Sequence, residues 1–440
     1  MTYFKIVTFG CKVNQYESAG MAEALGRQGL VSLPPEAAPD LIVVNTCTVT
    51  ARADQQARQT IRRLARDYPE AHIWVTGCYA QRAPGEIASL PGVAKVLGNL
   101  EKVVLGELLA CESARVQVQG VGEQESFHSQ QVSKFPGHTR AWLKIQDGCN
   151  HTCAYCIVPT VRGRGRSTSL ENVVSSLKRL GDRGFQEVVL IGIDLGQYGQ
   201  DLTPPTSLAR LLQHLAQGHW PFRVRLSSLE PQEITTELME ALSAFPHLCP
   251  HFHLPLQSGA PAVLQAMGRP YDPEYFRDMV LELHQRFPTA ALGLDVLVGF
   301  PGETASDFEA TRTLVETLPV AYLHVFPFSP RPGTPAQTLP RLPGREVQRR
   351  AQLMRALGQD KKTTFYQKQV GQAGEVLVEG SHPDRPGWLR GISRNYLRVL
   401  LPGPAHWQNR RLKVRFLRFE AGMIRGEVIT SSLMGGINPL

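Results

Sequence analysis

Residues 147–167 read DGCNHTCAYCIVPTVRGRGRS and place three cysteines, Cys149, Cys153 and Cys156, within eight residues. Thiolates at this density bind a soft metal centre. A structural zinc site takes four ligands. The nearest fourth donor, His151, sits between the first two cysteines, where simultaneous ligation is cramped. No C-x2-C pair follows at zinc-ribbon spacing. Three thiolates with one vacancy suit a four-iron cluster better, with the fourth iron left open to an exogenous ligand. Zinc closure through His151 is the other reading.

Three more cysteines are far apart in sequence: Cys11, Cys47 and Cys78. Each follows an apolar run directly or one residue beyond it, in VTFGC, VNTC and VTGC. In a parallel α/β sheet the carboxyl ends of the strands lie along one edge, so these thiols should converge there. A second cluster with one open iron is the implied occupant. Asn14, Asn45 and Thr46 are placed to hydrogen-bond around it. Buried structural cysteines are the plainer alternative, and Cys111 and Cys249 are read that way.

The elements that must position these residues show in the hydrophobic pattern. FKIVTFG (4–10), DLIVVNT (40–46) and HIWVTG (72–77) are near-continuous apolar strands. Helical segments follow them, around 18–28, 51–67 and 84–89. That alternation predicts a Rossmann-like parallel sheet over residues 1–111. A polar, Gln/Ser-rich linker at 112–134 has room for one irregular strand. From 135 to 366 the alternation resumes. Strands are expected at 140–147, 187–193, 223–228, 251–256, 292–300 and 321–328, with helices at 170–184, 206–217, 233–244, 260–267, 273–287 and 304–318. Six β/α units predict a partial barrel of the TIM type, with its chemistry at the carboxyl ends of the strands. A basic helix runs from about Arg345 to Lys368, overlapping the end of that unit. Residues 367–434 hold short, closely spaced strands and read as a small all-β barrel. The fold class is α/β with an all-β tail.

The chain has 440 residues, 42% hydrophobic and 20% charged, with eight cysteines and a net charge of +8. It contains no apolar run long enough for a membrane span, and its start lacks a signal-peptide pattern. A cytoplasmic, soluble protein is expected. Cysteine in that compartment points to metal or catalysis rather than disulfides. The basic balance leans towards a polyanionic partner.

The C-x3-C-x2-C loop after the first barrel strand, with Tyr155 before the last cysteine, resembles that of radical S-adenosylmethionine (SAM) enzymes. Joined to the second cysteine set and a basic β tail, the chain resembles the methylthiotransferases of that superfamily over nearly its whole length. GCKVNQYES (10–18), VNTCTVTARADQQARQTIRR (44–63) and VTGCYAQ (75–81) are similar to those of the tRNA threonylcarbamoyladenosine methylthiotransferases. So are RLSSLEP (225–231), HLPLQSG (253–259), DVLVGFPGET (295–304) and SPRPGTPA (329–336). One departure is Phe328, where a Tyr is common.

The resemblance implies two 4Fe-4S clusters, SAM as cofactor and methyl source, and a TRAM-type RNA-binding tail. It implies that one SAM methylates a sulfur on the N-terminal cluster. A second yields the 5′-deoxyadenosyl radical, which takes hydrogen from C2 of threonylcarbamoyladenosine next to the anticodon, at tRNA position 37. An aromatic C–H is inert to the acid–base groups present, so a radical route is needed. The implied partners are the tRNA anticodon loop and an electron donor such as a flavodoxin or ferredoxin. The same chemistry on isopentenyladenosine tRNA or a ribosomal-protein aspartate is the alternative, and a zinc-stabilised RNA-binding protein is the alternative of another class.

Candidate SAM-binding residues are Tyr155, Gly192, Asp194, Gln257 and Arg331. Asp194 is assigned to the SAM amino group and Arg331 to its carboxylate or a phosphate. Glu230 and Gln257 are candidates to read the nucleobase or its arm. Asp295 and Glu303 also belong to the barrel mouth. GRGRS (163–167) is a basic loop for SAM or tRNA. In the tail, Arg390, Arg394, Arg411, Lys413 and Arg415 are the candidate RNA contacts, with Tyr396 beside them. For each mouth residue, a helix cap or solvated loop is the plainer role.

Overall fold

The computed structural model describes residues 1–109, 114–123, 127 and 132–429. Cys111 and residues 430–434 of the expected tail lie outside them.

The N-terminal sheet has the order β2-β1-β3-β4-β5-β6, all parallel. Its strands are β1 (Tyr3–Thr8), β2 (Val31–Ser32), β3 (Leu41–Thr46), β4 (His72–Gly77), β5 (Val93–Leu97) and β6 (Val116–Gln117). All six residues of β3 are buried, as a strand covered on both faces must be. The helices are α1 (Lys12–Arg27), α2 (Ala51–Asp67), α3 (Cys78–Arg82) and α4 (Pro84–Ala88). Helix α1 starts directly after Cys11, earlier than the pattern suggested, and α3 starts on Cys78 itself. The irregular strand expected in the linker is β6.

The second unit is an open barrel in two halves, β11-β10-β7 and β12-β13-β14, each parallel. These are β7 (Arg140–Lys144), β10 (Glu187–Ile191), β11 (Arg223–Leu226), β12 (His251–Gln257), β13 (Ala291–Val298) and β14 (Tyr322–Pro327). A bridge from Val224 to Leu248 joins the halves. The expected first strand is split: its end becomes β8 (Gln146–Asp147), paired antiparallel with β9 (Arg166–Ser167). This ribbon brackets the cysteine loop and α5 (Val158–Arg162). The outer helices are α6 (Leu170–Asp182), α7 (Leu208–Ala216), α8 (Thr236–Ala244), α9 (Pro261–Ala266), α10 (Pro273–Arg286), α11 (Ala305–Thr317) and α12 (Gly344–Lys368). Ser169, Ser207, Thr235, Asp272 and Thr304 each accept a backbone N–H at the start of a helix. These caps explain why the outer helices begin close to where the sequence placed them. Leu254, Leu256, Leu292, Leu294, Val296 and Val298 pack in the main core. The alternate residues face the barrel interior.

The tail is a closed barrel, β15-β16-β17-β19-β18. Its strands are β15 (Ala373–Ser381), β16 (Trp388–Ser393), β17 (Arg398–Pro402), β18 (Arg411–Glu420) and β19 (Met423–Val428). No helix among the described residues is long and apolar enough to cross a membrane.

Candidate functional site

The cysteine loop leaves β8 through Gly148, whose φ is +76°. A Cβ there would stand 1.9 Å from the Arg164 carbonyl oxygen. Backbone bonds pin the loop: Cys149 N donates to Gly163 O, Ala154 N to Met267 O, and Ala336 N to Ala154 O. Cys153 is buried, while Cys149 and Cys156 are partly open. Burial pushes the Cys156 thiol up to about 12, and Cys153 pushes it the same way. Burial and Asp194 raise Cys149. Such thiols stay protonated unless a cation compensates, which is what a metal cluster does. Gly148→Ala is expected to destabilise the protein by about 1–3 kcal/mol through backbone strain and the clash, read as a lower Tm.

Asp194 receives Cys149 Sγ at 3.4 Å and its backbone N–H donates to Gln146. Its Oδ1 is buried with no partner, an acceptor suited to a ligand ammonium. His151 Nε2 faces Asp194 at 3.2 Å and Glu233 at 3.3 Å, and these carboxylates raise it to about 10. A ring engaged this way is poorly placed as a fourth zinc ligand. Arg269, which sequence reasoning missed, donates to Cys153 Sγ at 3.2 Å and pairs with Glu230. Glu230 therefore stands beside the cysteine loop with its charge met by Arg269. Tyr155 packs with Ala154, Phe300 and Phe328. Gly192 lies against Gln146, whose Oε1 a Cβ would meet at 2.9 Å. Gln257 ends β12 at a bulge with φ +63°.

Cys11, Cys47 and Cys78 converge at the carboxyl edge of β1, β3 and β4, as the strand pattern required. Burial raises Cys47 to about 12, and Cys78 and Cys11 each push it further. Cys11 lies in a recess: its side chain is exposed, yet the surrounding protein still raises its pKa. Gly10 leaves the space beside Cys47 open, since a Cβ there would lie 2.9 Å from Cys47 Sγ. Asn14 bonds the carbonyls of Phe9 and Thr46, and Asn45 bonds Asn14 O. The expected polar support is thus a backbone clamp.

The segment that follows the cysteine loop packs on the N-terminal cysteine set. Cys78 packs against Ile157 and Val161, which follow Cys156. Arg162, from the same segment, reaches Asn14 at 2.6 Å, Glu17 at 3.0 Å and Asp147 at 3.0 Å. Lys102 and Lys144 also pair with Glu17. Burial opposes ionisation of Glu17, but Arg162, Lys102 and Lys144 outweigh it and hold its pKa at about 2. None of this network was read from sequence, although Arg162 sits in the quoted basic stretch. Within GRGRS, Arg166 is buried and donates to Arg162 O, which leaves Arg164 exposed.

Below this junction the barrel interior is polar. Glu187 takes both Arg223 and Arg225 at 2.7 and 2.8 Å. Those arginines also donate to the carbonyls of Ile392, Ser393 and Arg394, sealing the small barrel onto the floor. Tyr396, with φ +69°, stacks on His251 at 4.1 Å and under Arg225 at 5.0 Å. His253 bonds Asp295 at 2.7 Å, and His324 approaches the same oxygen at 3.3 Å. Burial works against the Asp295 carboxylate, but these imidazoles outweigh it and hold its pKa at about 2. Its folded pKa is depressed from 3.8, so the stability it contributes is present above that value and lost as pH falls through about 2. Asp295→Asn should cost about 1–2 kcal/mol at pH 7, a gap that narrows in urea unfolding at pH 3.

Several expected ligand contacts are corrected. Arg331 is buried and bound to Thr48 at 2.7 Å and to Asp54. Asp54 occupies the place expected for a ligand carboxylate, and the pair ties the barrel to α2. Glu303 is held by Arg350 of α12 at 2.6 Å. In the tail, Arg394 donates to Pro246 O and Leu248 O, and Arg411 to Gln186 and Pro221 O. Both are joints to the barrel. Arg390, Lys413 and Arg415 remain exposed. Cys249 is fully buried, as expected of a structural cysteine.

Residues 143–315 match the profile of the radical SAM superfamily, and residues 3–98 that of an uncharacterized protein family, UPF0004. The structure resembles the radical SAM methyltransferase TsrM from Kitasatospora setae (TM-score 0.57, 16% identity, 77% of this chain and 75% of that one), which bears on the fold. Barrel and cysteine loop together define a radical SAM enzyme. Threonylcarbamoyladenosine tRNA methylthiotransferases are similar to the chain: 36% identical in Rickettsia prowazekii, over 86% of this chain and 88% of that one, and 35% in Bacillus subtilis, over 93% of each. A tRNA-2-methylthio-N(6)-dimethylallyladenosine synthase of Moorella thermoacetica is 34% identical over 97% of this chain and 98% of its own. The chain belongs to the radical SAM methylthiotransferase family. Its cofactors are SAM and two four-iron clusters.

Proposed function

We propose that the protein transfers a methylthio group to C2 of threonylcarbamoyladenosine at position 37 of tRNA. The observation that carries this reading is the packing of the segment after Cys156 onto Cys78, with Arg162 joining the two cysteine-bearing units beside a polar barrel interior. Cys149, Cys153 and Cys156 hold the cluster that binds SAM; Cys11, Cys47 and Cys78 hold the cluster that carries the sulfur. When bound, the first supplies electrons for SAM cleavage to a 5′-deoxyadenosyl radical and the second supplies the methylthio group. The chain's own residues do the rest. Asp194 offers its unpartnered Oδ1 to the SAM ammonium, with Tyr155, Gly192 and Gln257 around it. Arg269 pairs with Glu230 beside Cys153. Arg162 fixes the spacing of the two sites. Arg390, Lys413 and Arg415 hold phosphate, an interaction expected to weaken with salt. The working units are residues 1–111, the linker 112–134, the core 135–366 and the RNA-binding barrel 367–434. A flavodoxin or ferredoxin is the electron donor, and the enzyme works in the cytoplasm.

Sequence identity is nearly the same to relatives named for either adenosine, so substrate choice rests on the interior. A dimethylallyl arm is apolar and calls for apolar walls. A threonylcarbamoyl arm carries a carboxylate, a hydroxyl and a urea, which suit the polar interior around Arg225, His253, His324 and Tyr396. Nucleoside mass spectrometry on tRNA from cells lacking the gene, with and without its return, tests this. Loss and recovery of the methylthio form of threonylcarbamoyladenosine is the expected result. An unchanged level of that nucleoside overturns it.

A further inference from the structure

At the amino ends of β13 and β14, the opposite ends from the cysteine loop, a cavity of about 270 Å³ lies between the large barrel, α12 and the small barrel. Tyr322 of β14, Phe365 and Tyr366 of α12, and Tyr396 from the turn before β17 give it aromatic walls. Lys362 and Arg398 bring positive charge, and no carboxylate lines it. Most of these walls are held in place by the protein itself. Tyr322 Oη sits between His251 Nε2 at 2.8 Å and His253 Nδ1 at 3.1 Å. Tyr366 Oη accepts the Arg398 backbone N–H at 3.1 Å, and its ring packs on Phe419 at 5.1 Å. Tyr396 keeps a left-handed φ of +69°, which a bulky side chain adopts only where its surroundings impose it. Phe365 differs. Among the described residues its ring partner is Tyr366 alone, edge-on at 6.3 Å, so no ring stacks on its face.

The cations are open as well. Lys362 stands over the Tyr366 ring at 5.4 Å. Among the described residues neither Lys362 nor the Arg398 guanidinium pairs with a carboxylate. Burial, and after it the charge of Arg398, lower the Lys362 pKa. Asp295, beyond His324, is already engaged by His253 and His324. An aromatic slot flanked by two cations and free of acids has the chemistry that takes a nucleotide, with a π-face for the base and charge for the phosphate. A route leads to it along β14, which among the described residues pairs only with β13 and so has a free edge. Tyr322, His324 and Phe326 alternate onto one face of that strand, with ring centroids 5.2 and 6.4 Å apart. Phe326, towards the carboxyl end, is 44% exposed.

We propose that this cavity binds one unstacked nucleotide of the substrate RNA, with its base on Phe365 and its phosphate on Lys362 and Arg398. This rests on the reading of the protein as a tRNA-modifying enzyme. The gripped nucleotide is a neighbour of the modified one in the same loop, not the modified one itself. The sulfur chemistry belongs to the carboxyl ends of the strands, so the two nucleotides are held at opposite ends of β14. Stacking on a phenyl ring accepts any base, so the grip fixes the path of the loop rather than reading its sequence.

The test uses the anaerobically reconstituted full-length holoenzyme without reductant, so that binding is read without turnover. The probe is an anticodon stem-loop RNA bearing threonylcarbamoyladenosine, together with a series in which each other loop base in turn is replaced by an abasic site. The phosphates are the same throughout, so non-specific binding cancels. The wild type is expected to lose about tenfold or more in affinity at one loop position and little at the rest. Phe365→Leu should bind the intact RNA as weakly as the wild type binds that abasic RNA and lose little more at the abasic position, with iron content and Tm unchanged. Lys362→Gln and Arg398→Gln should weaken binding to every RNA of the series alike and flatten its salt dependence. A wild type that binds every abasic RNA as well as the intact one overturns the proposal. So does a Phe365→Leu protein that keeps the full abasic penalty. If Phe365→Leu fails to fold, Phe365→Met is read by the same criterion. Adenosine 5′-monophosphate serves as competitor to separate a free nucleotide from one in the RNA. No competition at micromolar concentration is expected. Micromolar competition that Phe365→Leu abolishes would assign the cavity to a free nucleotide and overturn the proposal. A separate turnover assay distinguishes the underlying reading. Wild-type enzyme that makes no methylthio product from the intact RNA overturns the substrate assignment, while normal product formation without any abasic penalty overturns only the role of the cavity.

Discussion

Cys47→Ala is expected to abolish methylthio transfer while leaving SAM cleavage running, and Cys153→Ala is expected to abolish both. The two sulfurs belong to different sets and sit on different elements. Cys47 follows β3 of the N-terminal sheet, and Cys153 sits on the loop between β8 and α5. Each thiol is one of three, and losing one leaves a cluster with too few protein ligands to persist. Iron should fall from about eight to about four per chain in either variant. Products then separate the roles. The Cys47 variant should still form 5′-deoxyadenosine from SAM with reductant, without the methylthio nucleoside. The Cys153 variant should form neither, with methylthio product at least about 10³-fold below wild type. Colourless wild-type protein holding one or two zinc ions would instead favour a zinc-stabilised RNA-binding protein.

Arg162→Met should be the most destabilising single change outside the cysteines. Arg162 is buried, and its guanidinium bonds Asn14, Glu17 and Asp147 in one fork. Burial disfavours its charge, but Cys78, Glu17, Asp147 and Cys11 outweigh this and keep it protonated. Methionine keeps most of the volume and removes the charge. Glu17 then retains Lys102 and Lys144, while Asp147 retains Lys144. Breaking one arm of a buried network of this kind costs about 3–5 kcal/mol. The bonds lost join the N-terminal sheet to the cysteine loop, so the two units should come apart first. Thermal unfolding should resolve into two transitions. Both clusters should still load, because no cysteine is touched, yet transfer between them should fall about a hundredfold as their alignment is lost. A single transition at the wild-type Tm would show that Arg162 does not hold the units together.

Much of this was legible before any coordinates. Apart from the start of α1, which lies six residues before its expected place, the longer strands and helices of both α/β units fell within a few residues of where they were expected, because continuous apolar runs and Ser/Thr/Asp caps are local signals. The convergence of Cys11, Cys47 and Cys78 was legible too, since each repeats one position of a β/α unit. The missed pieces were short: α3, α5 and β9 have no room for a period to show. Arg331, Arg394 and Arg411 were misread for a related reason. An arginine after a strand or on a β tail looks the same whether it awaits a ligand or already holds Asp54 or a backbone carbonyl.

The sequence by itself determined the chemistry on offer: two sets of three thiolates, a parallel scaffold to present them and a basic tail. Spacing and alternation along one chain carry that information. It takes the closed structure to reveal that Cys78 meets Ile157, that Arg162 joins the two sites and that Tyr396 floors the barrel. Those facts are pairings between residues tens to hundreds of positions apart. Which charges cancel is fixed only when the three units close on one another.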